Sequence, residues 1–313
     1  MTRVWRHRVD RVVTAALAGA AGSVVVVALV ILGFMGRAGV QGFAESGFFA
    51  MVLGRRWHPQ DLPPLFGFLP FLFGTAISAL GAVLLGAVPA VLAAVCASEF
   101  GSPRLRLAFR RVLETAAALP SVVYGYVAIT WVVPRLANPH TGCQGLGIAT
   151  ASVLLAAMIT PTVALLSLDA LARVPGALRD ASAALGASRW QTTWRAVVPT
   201  AWRGLLVAGF FGFARAAGET MAVQMVAGNG DFGPMAILRP PGARVMSDAC
   251  PMLGPLELFR PTSTISTRIV MDLPNTQPGT PWNHALFSMS LVLLGMSTGV
   301  VLVTRWLARR AAS

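Results

Sequence analysis

Lysine is absent from the sequence, and all 25 of its Lys+Arg residues are arginine. A Walker A motif must end in Gly-Lys-Ser or Gly-Lys-Thr, so none can occur within these 313 residues. We therefore expect any ATP hydrolysis, with the ATP and Mg²⁺ that it uses, to take place in a partner subunit. No cofactor is expected in this chain.

Metal-ligating residues are also scarce. The three cysteines and four histidines form no Cys-x-x-Cys pair and no histidine cluster, so the spacing predicts neither a zinc nor an iron–sulfur site. This argues against a metalloenzyme. Cys143 and Cys250 both fall in predicted outer segments, where a disulfide between two loops is chemically allowed, but the sequence leaves open whether they are close enough to bond.

Charge is the third scarcity, because only 12% of the residues are charged and 55% are hydrophobic. A soluble domain typically carries about a quarter charged residues, so this composition excludes an ordinary soluble globule. The net charge of +13 would suggest nucleic-acid binding in a soluble protein. Here the arginines lie in clusters between long apolar runs, so we interpret them as signals of membrane topology and expect no nucleic-acid partner.

Six apolar segments are long enough to cross a membrane, since a spanning helix needs about 20 mostly apolar residues. The sequence therefore predicts an all-α integral membrane protein with six transmembrane helices, multi-pass in the plasma (inner) membrane. The predicted segments are residues 12–34, 70–97, 114–135, 145–168, 205–227 and 285–304.

Arginine bias predicts the direction of these segments. With a cytoplasmic N-terminus, the inner flanks carry twice as many arginines as the outer flanks, so both termini are predicted to be cytoplasmic. The first segment exceeds a signal-peptide core and no clear cleavage site follows promptly, so residues 1–70 are interpreted as a retained anchor helix and an outer loop. A second outer loop, residues 229–283, is rich in proline, and we expect a short interfacial helix near residues 253–272.

A cytoplasmic segment between the fourth and fifth spans, residues 173–199, has the pattern of two helices joined by a tight turn. Residues 180–185 are rich in alanine, Gly186 suits a left-handed backbone, and Ser188 is a good N-cap. We expect the second helix to end near Pro199. This arrangement would lie at the membrane surface as a helix–turn–helix.

Two tryptophans in this segment are four residues apart, so Trp190 and Trp194 share one helical face. They could fill a groove of a partner protein. They could equally be aromatic residues at the membrane interface.

The fifth span is unusual because Arg215 and Glu219 lie in its middle, the only ionisable residues placed deep within any span. An arginine at this depth costs about 2.5–3.5 kcal/mol on insertion scales, so it normally has a partner. Residues four apart stack on one helical face, which predicts an ion pair between Arg215 and Glu219. A guanidinium offers a fixed charge and a planar fork of donors that matches a tetrahedral oxyanion. We therefore interpret this pair, with the Thr220 hydroxyl as an added donor, as lining a path for an anion.

Other interpretations remain open at this point. The charged pair could only lock two helices together, and Thr220 could only pack between helices. An integral membrane enzyme could use Glu219 as a general acid or base while Arg215 binds an anionic headgroup, and a scaffold could merely dock an ATPase. A coupling surface argues against the enzyme, and intramembrane charge argues against the scaffold.

By spacing, the cytoplasmic segment resembles the "EAA" loop of ATP-binding-cassette (ABC) import permeases. The matching positions are occupied by Asp180, Ala181, Ser182 and Gly186, and by Val198 and Pro199 at the close. The departures from the motif are Asp for Glu, Ser for the second Ala and Val for Leu. The resemblance implies that the segment, including Trp190 and Trp194, inserts into a groove of an ATPase subunit.

A second resemblance covers most of the chain from about Gly74 onward. The run 215–223, Arg-Ala-Ala-Gly-Glu-Thr-Met-Ala-Val, is similar to the signature of PstC-type permeases of the high-affinity phosphate import (Pst) system. Residues 119–125 and 262–265 extend the similarity.

The resemblance implies a type I ABC importer permease fold, with residues 71–313 as the permease core. It further implies import of inorganic phosphate by alternating access, with Arg215 and Glu219 along the path. The implied partners are a PstA-like second permease in a heterodimer, two PstB-like ATPases and a phosphate-binding lipoprotein. The choice of phosphate over sulfate or molybdate rests on this resemblance alone.

Overall fold

The computed structural model describes residues 3–137, 144–230 and 258–312. Cys143 and Cys250, and with them the question of a disulfide, lie outside the described residues. The described chain is almost entirely helical, with one short antiparallel hairpin in which Trp57 pairs with Phe66. In chain order the elements are α1 (Arg3–Ser46), α2 (Phe48–Leu53), β1 (Trp57–His58), β2 (Leu65–Phe66), α3 (Leu69–Ala82), α4 (Val88–Glu99), α5 (Pro103–Ala117), α6 (Ser121–Val127), α7 (Val133–Leu136), α8 (Ile148–Ala172), α9 (Gly176–Ala184), α10 (Arg189–Thr192), α11 (Val198–Ala217), α12 (Met221–Val226), α13 (Ile265–Asp272) and α14 (Pro281–Ala312).

Five of these continuous helical stretches are long and apolar enough to cross a membrane, and the bent pair Pro103–Ala117 and Ser121–Leu136 raises the number to six. This confirms the all-α, six-span architecture. The five stretches are Arg11–Ser46, Leu69–Glu99, Ile148–Ala172, Arg189–Ala217 and Pro281–Trp306.

Two predicted spans have the wrong bounds. The third, predicted at 114–135, is broken: α5 ends at Ala117, and the helix that follows, Ser121–Leu136, is bent from it by 89°. Pro120 lies at this corner, where its ring and missing N–H are incompatible with a continuing helix. The fifth, predicted at 205–227, begins earlier at Arg189 and ends at Ala217.

Three further prolines, unlike Pro120, are accommodated within helices that continue. A five-residue π-helical turn ends two residues before each of Pro89, Pro134 and Pro199. Proline clashes with the carbonyl four residues earlier, and the wider π turn relieves this clash without ending the helix. The predicted helix end near Pro199 is therefore wrong, because the helix continues through this wide turn to Ala217.

The helix α8 lies at the centre of the bundle, packed against α3, α4, α5 and α11. Small residues allow this close approach: a Cβ added at Gly86 would lie 2.6 Å from the Ala156 carbonyl oxygen, and one at Gly212 would lie 2.7 Å from Val163 Cγ2. Close backbone approach of this kind is the usual means of helix association in membranes.

Among the side chains that the structure describes, those in the outer part of α1 attach it to the bundle, from Phe34 onward. Its residues 11–34 are exposed, whereas Gly39 and Gly42 are buried against α14, where Ser288 Oγ donates to the Gly39 carbonyl at 2.6 Å. His284 Nδ1 lies 3.0 Å from a carboxylate oxygen of Glu45 at the same contact.

The outer loop is partly inserted into the bundle. The short helix predicted near residues 253–272 is present as the shorter α13, Ile265–Asp272, and residues 253–257 lie outside the described residues. Thr264 and Thr267 form a capping box at its start. The preceding backbone is buried, since Thr262 N donates to the Ala227 carbonyl at 2.8 Å and Ile265 N donates to Thr75 Oγ1 at 3.0 Å. This segment therefore lies between α3 of the second span and the end of α12, which follows the fifth span.

Candidate functional site

Arg215 lies in the last turn of α11, and its side chain reaches α8. Its Nη1 donates to Thr162 Oγ1 at 2.7 Å. Thr162 is fourteen residues from the outer end of α8 and ten from its inner end, which places it roughly 21 Å and 15 Å from the two ends. The guanidinium therefore lies about halfway along α8, although Arg215 itself is in the last turn of the fifth span and not in its middle as predicted.

The predicted ion pair between Arg215 and Glu219 is not formed. The helix ends at Ala217, so Glu219 lies in a short break before α12 and does not stack one turn above Arg215. Glu219 Oε1 instead accepts from the backbone N–H of Ala222 at 3.3 Å, and the Glu219 carbonyl accepts from Ser266 Oγ at 3.0 Å. A carboxylate beside the first turn of a helix satisfies an otherwise unpaired N–H. This explains why the Glu219 side chain points toward the start of α12.

Within the described part of the chain, no carboxylate pairs with Arg215. A guanidinium has five N–H donors, and the Thr162 contact occupies one. The side chain is partly exposed, like those of Glu219 and Thr220. Thr220 lies in the same break, with its Oγ1 3.4 Å from the Gly218 carbonyl. This arrangement can offer a fixed cation and several donors to an anion.

Thr162 was not found by sequence reasoning. It lies 53 residues from Arg215, and a threonine in an apolar helix is by itself an ordinary packing residue. The only local signal is its position directly after Pro161, which lies inside α8. That signal does not identify Arg215 as a partner.

On the cytoplasmic side, the two predicted coupling helices are present with the predicted turn. Asp180 and Ala181 lie on α9, and Gly186 has a φ of 79°. Ser188 caps the next helix and forms a capping box with Gln191. The stereochemistry of this turn was therefore predictable from its residue types.

Trp190 and Trp194 share an exposed face, as predicted. Their ring centroids are 5.5 Å apart, and Phe100 lies 6.2 Å from Trp190. Trp190 is 63% exposed and Trp194 is 38% exposed. An aromatic patch of this kind suits contact with a partner or the membrane interface.

A bidentate ion pair fastens α9 to the bundle, and no sequence pattern indicated it. Arg179 Nε and Nη2 donate to the two carboxylate oxygens of Glu99 at 3.0 and 2.8 Å. The same guanidinium donates to the carbonyls of Val174 and Leu171, at the inner end of α8. The hydrogen bonds that Arg179 donates to Glu99 raise the pKa of Arg179 above its usual value, so the guanidinium stays protonated. We call Glu99 and Arg179 the clasp.

A second connection joins α5 to α8. Arg110 Nη1 contacts Asp169 Oδ1 at 2.9 Å, and its Nε contacts Glu114 Oε1 at 2.9 Å. All three side chains are about half exposed, so these pairs contribute little individually. Between α5 and α9 lies an open cleft of about 1010 Å³, lined in part by Arg106, Asp180 and Arg189.

Comparison with known proteins places these features in a family. Residues 87–313 match the sequence model described as "Binding-protein-dependent transport system inner membrane component". The chain is 36% identical over 283 residues to a protein of Bacillus subtilis (strain 168), "Probable ABC transporter permease protein YqgH", covering 88% of this chain and 84% of that protein.

Two similar proteins carry the name "Phosphate transport system permease protein PstC". That of Mesorhizobium japonicum is 25% identical over 308 residues, covering 90% of this chain and 87% of the relative. That of Pasteurella multocida is 27% identical over 277 residues, covering 81% and 79% respectively. Among solved structures, a chain of the inward-facing MetNI methionine ABC transporter aligns with a TM-score of 0.47 and 15% identity, covering 75% of this chain and 94% of that chain.

The matched family model spans more than half of the chain and includes the clasp, the coupling helices and Arg215. The chain is therefore a multi-pass inner-membrane subunit of an ABC importer, with the type I permease fold and without enzymatic activity of its own. Membership implies ATPase and binding-protein partners. The chain belongs to the family of inner membrane components of binding-protein-dependent transport systems.

Proposed function

We propose that the chain is the permease subunit through which an ATP-driven importer passes inorganic phosphate across the plasma membrane. Arg215 lends the passing oxyanion a counter-charge at half depth. Two relatives named as phosphate permeases support phosphate as the substrate. The name of the B. subtilis relative specifies no substrate.

The observation that carries this proposal is the hydrogen bond between Arg215 and a neutral partner. Its guanidinium is positioned by the neutral Thr162 hydroxyl at 2.7 Å, so no internal ion pair has to break before an anion binds. The remaining donors suit bidentate recognition of a tetrahedral oxyanion. Thr220, in the adjacent break, would add a hydroxyl donor.

In this proposal Glu219 does not compete with the anion by bonding to Arg215. Its side chain accepts a hydrogen bond from the first turn of α12, which places a carboxylate beside the break. A carboxylate there disfavours long residence of an anion near Arg215. A transporter needs such weak binding because the anion has to be released.

The proposed partners follow from the family and from the similarity to proteins named as PstC permeases. A PstA-like permease would complete a heterodimer, a phosphate-binding lipoprotein would deliver phosphate at the outer face, and two PstB-like ATPases would use ATP and Mg²⁺. Asp180, Ala181 and Gly186 would contact an ATPase together with the exposed Trp190 and Trp194. Pro199 would act indirectly, by setting the wide turn that joins this surface to the fifth span.

The test compares uptake of radiolabelled phosphate, sulfate and molybdate in cells with and without this chain. We expect deletion to remove high-affinity phosphate uptake and to leave sulfate and molybdate uptake unchanged. Loss of sulfate or molybdate uptake instead would assign the path to that oxyanion and contradict the proposal for phosphate.

A further inference from the structure

The helix α5 differs from the spanning helices in direction. The axis of α5 (Pro103–Ala117) makes an angle of 89° with the helix Ser121–Leu136. We take Ser121–Leu136 as the part of this bent pair that crosses the membrane, so that α5, at nearly a right angle to it, runs along the membrane surface. The arginine bias and the neighbouring coupling segment place it on the cytoplasmic side.

One side of α5 is fastened to the bundle. Leu113 is buried and Phe109 is partly buried, and Arg110 on the same flank contacts Asp169 of α8. Another flank faces the cleft in front of α9, where Leu107 and Arg106 contribute to the lining. These contacts fix the rotation of the helix about its axis.

The remaining side presents an unpartnered apolar stripe. Leu105, Ala108 and Val112 are spaced three and four residues apart, so they share one side of the helix. All three are exposed, Leu105 at 58% and Val112 at 66%. A helix parallel to the membrane with one apolar stripe has the form of an interfacial helix.

Two arginines border this stripe. Arg104 and Arg111 are seven residues apart, two turns along the same side, and each directly precedes a residue of the stripe. Both are exposed, and within the described ranges neither side chain has a hydrogen bond or ion pair. The other two arginines of α5 do have partners: Arg106 donates to the Ser98 carbonyl, and Arg110 contacts two carboxylates.

We propose that α5 is a membrane-surface helix that binds anionic phospholipid headgroups of the cytoplasmic leaflet through Arg104 and Arg111. Leu105, Ala108 and Val112 enter the boundary between headgroups and acyl chains. The charge of the two arginines is complementary to the phosphate of the lipid, and juxtamembrane arginines attract anionic lipids in this way. The proposal depends on the direction and contacts of α5 and not on which oxyanion is transported.

The test measures the immersion of α5 in the intact protein. The full chain, purified together with the subunits that accompany it, is reconstituted into vesicles of phosphatidylcholine, with or without added phosphatidylglycerol. A nitroxide label is attached at A108C after the native cysteines have been replaced by serine. Electron paramagnetic resonance then compares its accessibility to oxygen, which partitions into lipid, with that to a water-soluble nickel reagent. A label at L107C, which faces the cleft, is the matched control position.

We expect the label at position 108 to be accessible to oxygen, protected from nickel, and more deeply immersed when phosphatidylglycerol is present. R104Q/R111Q should abolish the increase in immersion, while R203Q, which removes an arginine from α11, should retain it. The label at position 107 should show no response to lipid charge.

Three results would overturn the proposal. Equal access of both reagents to position 108 would mean that the stripe faces water. Protection from both reagents would mean that a protein subunit covers it. Immersion that is the same with and without phosphatidylglycerol would exclude recognition of anionic headgroups.

Discussion

Arg215 donates to the hydroxyl of Thr162 at 2.7 Å, and not to the carboxylate of Glu219 four residues further along its own chain. A neutral hydroxyl positions the guanidinium without neutralising it, so the charge remains available to a ligand. The helix break at Gly218 is the cause, because it carries Glu219 away from the helical face on which it would stack over Arg215.

The first prediction concerns the hydroxyl of Thr162. T162V keeps the shape of the side chain but removes the acceptor for Arg215. Hydrogen bonds to charged groups contribute about 1.5–3 kcal/mol, so we expect phosphate uptake to fall by about tenfold or more at low phosphate concentration. T162S, which keeps the hydroxyl, is the control and should retain most of the uptake. Equal uptake by T162V and the parent would contradict a positioning role for this contact.

The second prediction distinguishes a free guanidinium from an ion pair. In the charge-swapped variant R215E/E219R, an ion pair would be re-formed in reverse, and function would partly return relative to R215E alone. We expect no return, because a carboxylate beside Thr162 repels the oxyanion and position 219 lies outside the helix. Uptake assays of the single and double variants decide between the two accounts; restoration in the double variant would favour the ion pair.

The third prediction concerns the clasp. The Glu99 side chain is 8% exposed and the Arg179 side chain 29%, and removing one partner from a largely buried pair costs about 3 kcal/mol or more. E99Q should therefore loosen α9 from the bundle and lower the phosphate transported per ATP hydrolysed by the purified complex.

Two controls accompany E99Q. E114Q removes a half-exposed partner of Arg110 and should change the ratio little. E99R/R179E should recover part of the loss if the pair acts as a link between elements. A normal ratio in E99Q would show that coupling does not pass through the clasp.

The fourth prediction concerns the turn in the coupling segment. Gly186 has a φ of 79°, and no atom lies within 4 Å of a Cβ added there. The backbone, and not the available space, is therefore limiting, and a non-glycine residue in this conformation costs roughly 1–2 kcal/mol. G186V should reduce substrate-stimulated ATP hydrolysis by the complex, while G186N, which tolerates this backbone better, should reduce it less. Similar activity of G186V and the parent would remove the turn from the coupling mechanism.

The spans were predictable from sequence because a long apolar run is a local property, and its length can be compared directly with the thickness of the bilayer. The cap at Ser188 and the turn at Gly186 were predictable for the same reason, since each depends on one or two residue types. The break after Ala217 was not, because Gly218 alone does not stop a membrane helix. The buried segment around Thr262 packs against this break, but it lies more than 40 residues further along the chain.

The partners of the charged residues were the least predictable part of the site. Arg179 and Glu99 are 80 residues apart, and Arg215 and Thr162 are 53 apart. Reasoning from spacing favoured the nearest opposite charge, which led to the wrong partner for Arg215. Helix packing decides such contacts, and that packing depends on small residues such as Gly86 and Gly212, whose sequence signal does not specify a neighbour.

The central claim is that the guanidinium of Arg215 provides the counter-charge for the transported oxyanion, and radiolabelled phosphate uptake by R215Q tests it most directly. Glutamine retains a donor for Thr162 but carries no charge. The account predicts that uptake is abolished while the variant still co-purifies with its partner subunits. Normal phosphate accumulation by an assembled R215Q complex would contradict it.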